Sequence, residues 1–160
     1  MSTPRALANQ KLYHARILID AWRLALDEER VASSVLEHAF GTAICNHLAA
    51  AYGWFLLEIA QPADMPATPP HGCAQLPAVA QGRETPPEIL EFRQLERERW
   101  LAHILDPVFG QIERHDGVVD RSPHNLALQS EQGFGPLDTE QWHQQLNALF
   151  ERMTDSLDEY

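Results

Sequence analysis

The chain has 160 residues and a net charge of −11 at neutral pH, with 44% hydrophobic and 22% charged residues. This length and composition exclude a globally disordered chain and predict one domain, residues 1–160, with a core that needs no disulfides. The negative charge repels phosphate backbones, so we expect no nucleic acid partner.

Cys45 and Cys73 lack the Cys-x-x-Cys or His/Cys spacing of a zinc site, and no glycine-rich phosphate-binding loop is present. We therefore expect no metal or cofactor. The N-terminus lacks the apolar run of a signal peptide, which predicts a cytoplasmic protein. Residues 39–57 are apolar enough for a membrane span, but Asn46 and His47 lie at their centre and no basic anchor flanks them. We predict a buried helix there and no membrane contact.

The first helix begins after a cap at Ser2 or Thr3, with Pro4 in its first turn, and extends to about Leu26. Its apolar positions alternate by four and three residues: Ala8, Leu12, Ala15, Ile19, Trp22 and Leu26. This spacing predicts antiparallel packing on the next helix.

Residues 31–60 contain no proline and predict one long helix. One apolar seam contains Val31, Val35, Thr42, Cys45, Ala49, Tyr52, Leu56 and Ile59, and a second contains Leu36, Phe40, Ala43, His47, Ala51 and Trp54. A helix that is apolar on two sides must be covered on two sides, so we predict that it is the central element of the fold.

Residues 61–87 are rich in proline and lack periodicity, which predicts a long crossover between the second and third helices. Leu76 and Val79 are the side chains expected to anchor it to the helices. A segment of this length is either a plain connection or a functional loop, and the sequence leaves both interpretations open.

The sequence Thr85-Pro86-Pro87-Glu88 predicts the start of a third helix, capped by Thr85 and ending near Pro107. Its inward positions are Ile89, Phe92, Leu95, Trp100, Ala102 and Leu105. Residues 107–137 are again irregular, and a last helix begins at Asp138 or Thr139. Its inward positions are Trp142, Leu146, Leu149, Phe150, Met153 and Leu157. The prediction is an all-α, antiparallel four-helix bundle with a long proline-rich crossover between helices two and three.

Residues 9–23, NQKLYHARILIDAWR, and residues 137–153, LDTEQWHQQLNALFERM, together with His47-Leu48, resemble an uncharacterised family of small all-helical proteins from gammaproteobacteria. The resemblance covers the first two helices and the last. It implies an all-helical fold, and it implies no chemistry because that family has no assigned function.

Tyr13, Asn46, His47 and Trp54, with His14, are the polar and aromatic side chains that stand out on otherwise apolar helices. Antiparallel packing would place Tyr13 and Asn46 at similar heights. The expected structure is a buried hydrogen-bond cluster that fixes helix register. A small-molecule pocket in the bundle interior is the alternative.

Three motifs suggest catalysis, and each also has a structural interpretation. Arg97 and His103 have the spacing seen in HEPN ribonucleases, but the acidic Glu98 would repel RNA. His115-Asp116, with His103, resembles the ligand order of HD-type phosphohydrolases, but Gly117 predicts a turn there. Glu140-x-x-His143 is half of a di-metal motif whose second half is missing.

The leading hypothesis is a non-catalytic protein that acts through protein–protein interaction or regulation, with a protein partner or a second copy of itself. Leu18 with Trp22 on the first helix and Leu101 with Ile104 on the third are the apolar pairs expected to form a dimer. The alternative is a small helical enzyme, a metal-dependent hydrolase or HEPN-like ribonuclease, using His103, His115 and Asp116.

Overall fold

The computed structural model describes residues 2–105 and 134–159. Helices make up 73% of these residues, and none of them lies in a strand, which confirms the all-α class. The described helices are five and not the predicted four. They are α1 Pro4–Glu28, α2 Ser33–Ala60, α3 Pro87–Leu95, α4 Arg99–Leu105 and α5 Pro136–Asp158.

Helix α1 follows its sequence prediction closely. The Thr3 hydroxyl accepts a hydrogen bond from the Ala6 amide (3.2 Å), and Pro4 occupies the first turn, where a missing N–H costs nothing. The helix ends at Glu28, and the capping residue Glu29 has a left-handed backbone (φ 51°). Its buried side is the predicted one: Ala8, Leu12, Ala15, Ile19 and Trp22.

Helix α2 is the central element, because it contacts all four other helices. Arg5 at the start of α1 pairs with Glu58 near the end of α2 (3.2 Å), and Trp22 stacks on Phe40 at the opposite end, so the two helices are antiparallel. From Ile44 to Ala60 most side chains of α2 are buried. Its neighbours therefore cover α2 on several sides, as its two apolar seams predicted.

The first turns of α2 depart from the prediction. Glu37–Gly41 forms a π-helical turn, with no break in the helix. A π turn holds one residue more than an α turn, which rotates the preceding residues by about 100° relative to the rest of the helix. Val35, predicted to lie on the main seam, is therefore exposed, and Val31, also predicted there, is exposed because it precedes the helix.

By length and mean hydropathy (1.2), the helix Ser33–Ala60 is able to cross a membrane. The core helix of a soluble protein passes the same test, and 67% of this apolar window is buried inside the fold.

The prediction of one continuous third helix is wrong. It is divided into α3 and α4 by a turn at Glu96–Glu98, and α3 begins after Pro86 without a side-chain cap from Thr85. The turn changes the phase of the apolar residues. Leu101 and Ile104 are consequently buried and Ala102 is exposed, the reverse of the sequence prediction.

Helix α5 begins at Pro136, two residues before the predicted start, and the Asp138 carboxylate accepts a hydrogen bond from the Gly135 amide (2.8 Å). Its predicted inward residues Trp142, Leu146, Leu149, Phe150 and Met153 are buried. Phe150 stacks on Phe55 of α2, with ring centroids 4.0 Å apart. The last helix therefore closes the core beside α2.

Candidate functional site

The four side chains predicted as a buried polar cluster do not come together in the interior. Tyr13 is 65% exposed and Asn46 is also exposed, whereas Trp54 is buried. His47 is half-buried and lies against the ring of His14, with centroids 5.3 Å apart. Tyr13 and Asn46 lie on the outer sides of their helices, so antiparallel packing at similar heights does not bring them into contact.

The His14–His47 pair lies between α1 and α2. Partial burial lowers the pKa of His47, and the positive charge of Lys11 and the neighbouring His14 lower it further. His47 is therefore biased toward its neutral form.

The residues of the enzyme alternative are only partly described. His103 is half-buried and stacks on Trp142 (5.7 Å between ring centroids). Arg97 lies in the turn between α3 and α4, so Arg97 and His103 do not share one continuous helix. His115 and Asp116 lie outside the described residues.

Glu140 and His143 hold α5 on α1. Glu140 accepts a hydrogen bond from Arg16 (3.0 Å) and also pairs with Arg23. His143 donates a hydrogen bond from Nε2 to the carbonyl oxygen of Leu12 (3.0 Å). Both side chains of the Glu-x-x-His motif therefore serve packing between helices.

Both cysteine thiols are buried, and burial raises the pKa of each to about 12. Neither is a thiolate near neutral pH, which makes both poor nucleophiles. Within residues 2–105 and 134–159, no group of three or more His, Cys, Asp or Glu side chains is arranged to hold a metal ion.

Large apolar side chains are exposed along one side of α1. Tyr13 (65% exposed), Ile17 (48%) and Leu24 (65%) are spaced by four and seven residues, which places them on one face, opposite the buried one. We call these three residues the outer stripe. Of the residues predicted to form a dimer face, Trp22, Leu101 and Ile104 belong instead to the core.

Charges on α1 are distributed unevenly along its length. Arg5, Lys11 and Arg16 lie in the N-terminal half, which carries no carboxylate, whereas the C-terminal half contains Asp20, Arg23, Asp27 and Glu28. The order opposes the helix dipole, which favours acidic residues near the N-terminus. Glu58 of α2 and Glu140 of α5 pair with Arg5 and Arg16 and so offset part of this unfavourable order.

A polar junction joins the crossover to α2 and to the turn after α3. Oε1 of Glu96 accepts hydrogen bonds from the Tyr52 hydroxyl and from the Cys73 amide, both 2.7 Å long. The Tyr52 oxygen lies 3.7 Å from Sγ of Cys73. Burial and the hydrogen bond to Glu96 raise the pKa of Tyr52, so its hydroxyl stays protonated and donates. We call Tyr52, Cys73 and Glu96 the crossover junction.

A family model described as a family of unknown function, DUF6586, matches residues 1–160. The chain belongs to DUF6586. No curated protein and no solved structure matches it. Membership confirms the resemblance to an uncharacterised family, and DUF6586 has no assigned activity.

The outer stripe was not predicted from the sequence, although the helical spacing of its residues can be read there. Tyr13, Ile17 and Leu24 recur at helical intervals, on the side of α1 opposite its buried residues. The crossover junction had no sequence signal, because Tyr52, Cys73 and Glu96 are far apart in the chain and belong to three different segments.

Proposed function

We propose that this DUF6586 chain is a non-catalytic interaction protein that forms a homodimer through the outer stripe of α1. The supporting observation is the exposure of Tyr13, Ile17 and Leu24 on the face of α1 opposite its buried apolar residues. Exposed large apolar side chains grouped on one helix face are typical of a protein contact surface.

An antiparallel arrangement of two α1 helices suits this face. In the register that places Tyr13 opposite Leu24 of the second copy, Arg16 lies close to Asp20 of that copy. Lys11 and Arg16 of each helix then lie along the other helix's C-terminal half, which contains Asp20, Asp27 and Glu28, and Arg16 already pairs with Glu140 of its own chain. A parallel arrangement would place like charges together, which is unfavourable.

In this proposal the protein is cytoplasmic and acts in aqueous solution. Its charge of −11 disfavours nucleic acid and anionic membrane surfaces. In this proposal α3 and α4 together take the third position of an antiparallel four-helix bundle, and residues 1–160 act as one domain. The dimer leaves both the crossover and α5 accessible to other partners.

Analytical ultracentrifugation of the wild-type chain and of Leu24→Glu tests the dimer. We expect a concentration-dependent dimer whose dissociation constant rises at least tenfold in Leu24→Glu, because a carboxylate replaces an apolar contact opposite Tyr13. Leu137→Glu is the matched control, since Leu137 is also 65% exposed but lies on α5. A wild-type monomer up to millimolar concentration, or equal weakening by both substitutions, would overturn the proposal.

Oxidative crosslinking tests whether the two α1 helices of the dimer are antiparallel. Mixed Tyr13→Cys and Leu24→Cys chains should crosslink to each other, and neither should crosslink to its own kind. Crosslinks within each variant alone would indicate a parallel dimer. Background from the natural cysteines should be low because Cys45 and Cys73 are buried.

A further inference from the structure

A pocket of about 280 Å³ lies between the crossover and α3, away from the outer stripe. Its volume is close to the lower end of the range for small-molecule sites, roughly 300–1,000 Å³. It is lined by Ala60, Cys73, Ala74, Leu76, Pro77, Ala78, Val79, Thr85, Pro86, Ile89 and Arg93.

The wall of this pocket combines small and apolar side chains with a few polar groups. Leu76, Val79 and Ile89 contribute hydrocarbon, and Thr85 contributes a hydroxyl. Of the described residues that line it, Arg93 is the one with a fixed charge, since the thiol of Cys73 is protonated near neutral pH. The lining itself therefore carries one positive charge.

Arg93 lacks the ion pair that five other described arginines form. Arg5, Arg16, Arg23, Arg30 and Arg152 each lie within ion-pair distance of a carboxylate. Arg93 forms no ion pair with any described residue, although the chain has 23 carboxylate side chains and 12 lysines and arginines. An arginine left unpaired beside a pocket in so acidic a chain is available to an anionic ligand.

We propose that the pocket binds a small amphiphilic carboxylate. The guanidinium of Arg93 pairs with the carboxylate group, and the hydrocarbon part of the ligand lies against Val79 and Ile89. A planar carboxylate matches the two parallel N–H groups of one arginine, and its single negative charge equals the single positive charge of the lining. Each methylene that the pocket buries should tighten binding by about fourfold.

Isothermal titration calorimetry with octanoate, octanol and octylammonium tests this assignment. Octanoate should bind with a dissociation constant at or below the millimolar range, more tightly than octanol, and octylammonium most weakly, because Arg93 repels a cation. Hexanoate should bind more weakly than octanoate. Leu24→Glu should leave octanoate binding unchanged, since the pocket is remote from the outer stripe.

Two variants locate the site. Arg93→Gln should weaken octanoate at least tenfold while changing octanol little, and Val79→Glu should abolish octanoate binding by placing a carboxylate in the pocket. Arg97→Gln is the matched control, because Arg97 is an exposed arginine four residues away, in the turn after α3. No heat with octanoate at millimolar concentration, equal affinity for octanoate and octylammonium, or equal effects of Arg93→Gln and Arg97→Gln would overturn the proposal.

Discussion

Glu96 has a side chain that joins three segments of the chain. It lies in the turn between α3 and α4, and one of its oxygens accepts hydrogen bonds from Tyr52 of α2 and Cys73 of the crossover. Hydrogen bonds to a charged acceptor are stronger than those between neutral groups. The crossover junction therefore fixes the position of a loop that contains no α-helix or strand of its own.

Tyr52→Phe should lower the free energy of unfolding by about 1.5–3 kcal/mol, because it removes one hydrogen bond to a carboxylate while keeping the buried ring. Urea denaturation followed by circular dichroism measures the change. Tyr13→Phe is the control, since that tyrosine is exposed and its hydroxyl has no comparable role in the fold.

A double-mutant cycle separates the hydrogen bond from other effects of the substitution. In a Glu96→Ala background, Tyr52→Phe should cost clearly less than in the wild-type chain, because its acceptor is already absent. Equal costs in the two backgrounds would mean that the Tyr52–Glu96 hydrogen bond contributes no stability.

The crossover also packs closely on α2 at the level of backbone atoms. A Cβ added at Gly53 would lie 2.2 Å from the carbonyl oxygen of Pro70 and 2.9 Å from Cβ of Pro69. Contacts this short require the crossover to move away from the helix. The absence of a side chain at residue 53 is thus what lets the proline-rich segment approach.

Gly53→Ala should destabilise the fold by about 1–3 kcal/mol, because the overpacking penalty exceeds the gain of roughly 1 kcal/mol from helix propensity. Thermal unfolding measures it. Gly135→Ala is the comparison, since a Cβ there meets nothing within 4 Å. A stabilised Gly53→Ala variant would show that the crossover shifts at no cost.

Helices whose apolar residues keep one phase were predicted well from the sequence. In α1 and α5 the periodic residues, such as Ile19 and Leu146, are the buried ones. The π turn in α2 and the turn after α3 were not predicted, because each changes the phase locally and apolar spacing does not show where such a change occurs.

The candidate sites were less predictable than the helices. Whether Tyr13 is buried depends on how α1 is rotated against α2, which spacing alone does not determine. The crossover junction and the Arg93 pocket require the path of residues 61–86, and a segment without periodicity offers no register from which to deduce that path. Leu76, predicted as an anchor of the crossover, does pack against the core.

At the scale of the whole molecule, α1 is bound to both of its neighbours by charge as well as by apolar contact. Arg5 bridges Glu58 of α2 (3.2 Å) and Asp158 of α5 (3.9 Å), and Arg16 pairs with Glu140 at the other end of α5. These pairs place α1 antiparallel to both α2 and α5. The partly buried pair at Glu140 should contribute more than the exposed one at Asp158.

The contact between α1 and α5 should make stability depend on pH through His143. Burial lowers the pKa of His143, and Arg16 lowers it further, whereas the hydrogen bond to the Leu12 carbonyl and the charge of Asp20 raise it. In the unfolded chain the pKa is near 6.5. Between the two pKa values the unfolded chain binds more protons, so stability is retained above pH 6.5 and is lost as the pH falls through the folded pKa.

Urea denaturation at pH 7.5, 6.5 and 5.5 should therefore give a falling free energy of unfolding, with at most about 1.4 kcal/mol per pH unit from this one histidine. His143→Gln can still donate to Leu12 but does not titrate, so its stability should fall less steeply than that of the wild type. His38→Gln, at an exposed histidine, should keep the wild-type slope. If His143→Gln keeps that slope as well, the acid sensitivity arises elsewhere, and protonation of His143 does not oppose the docking of α5 on α1.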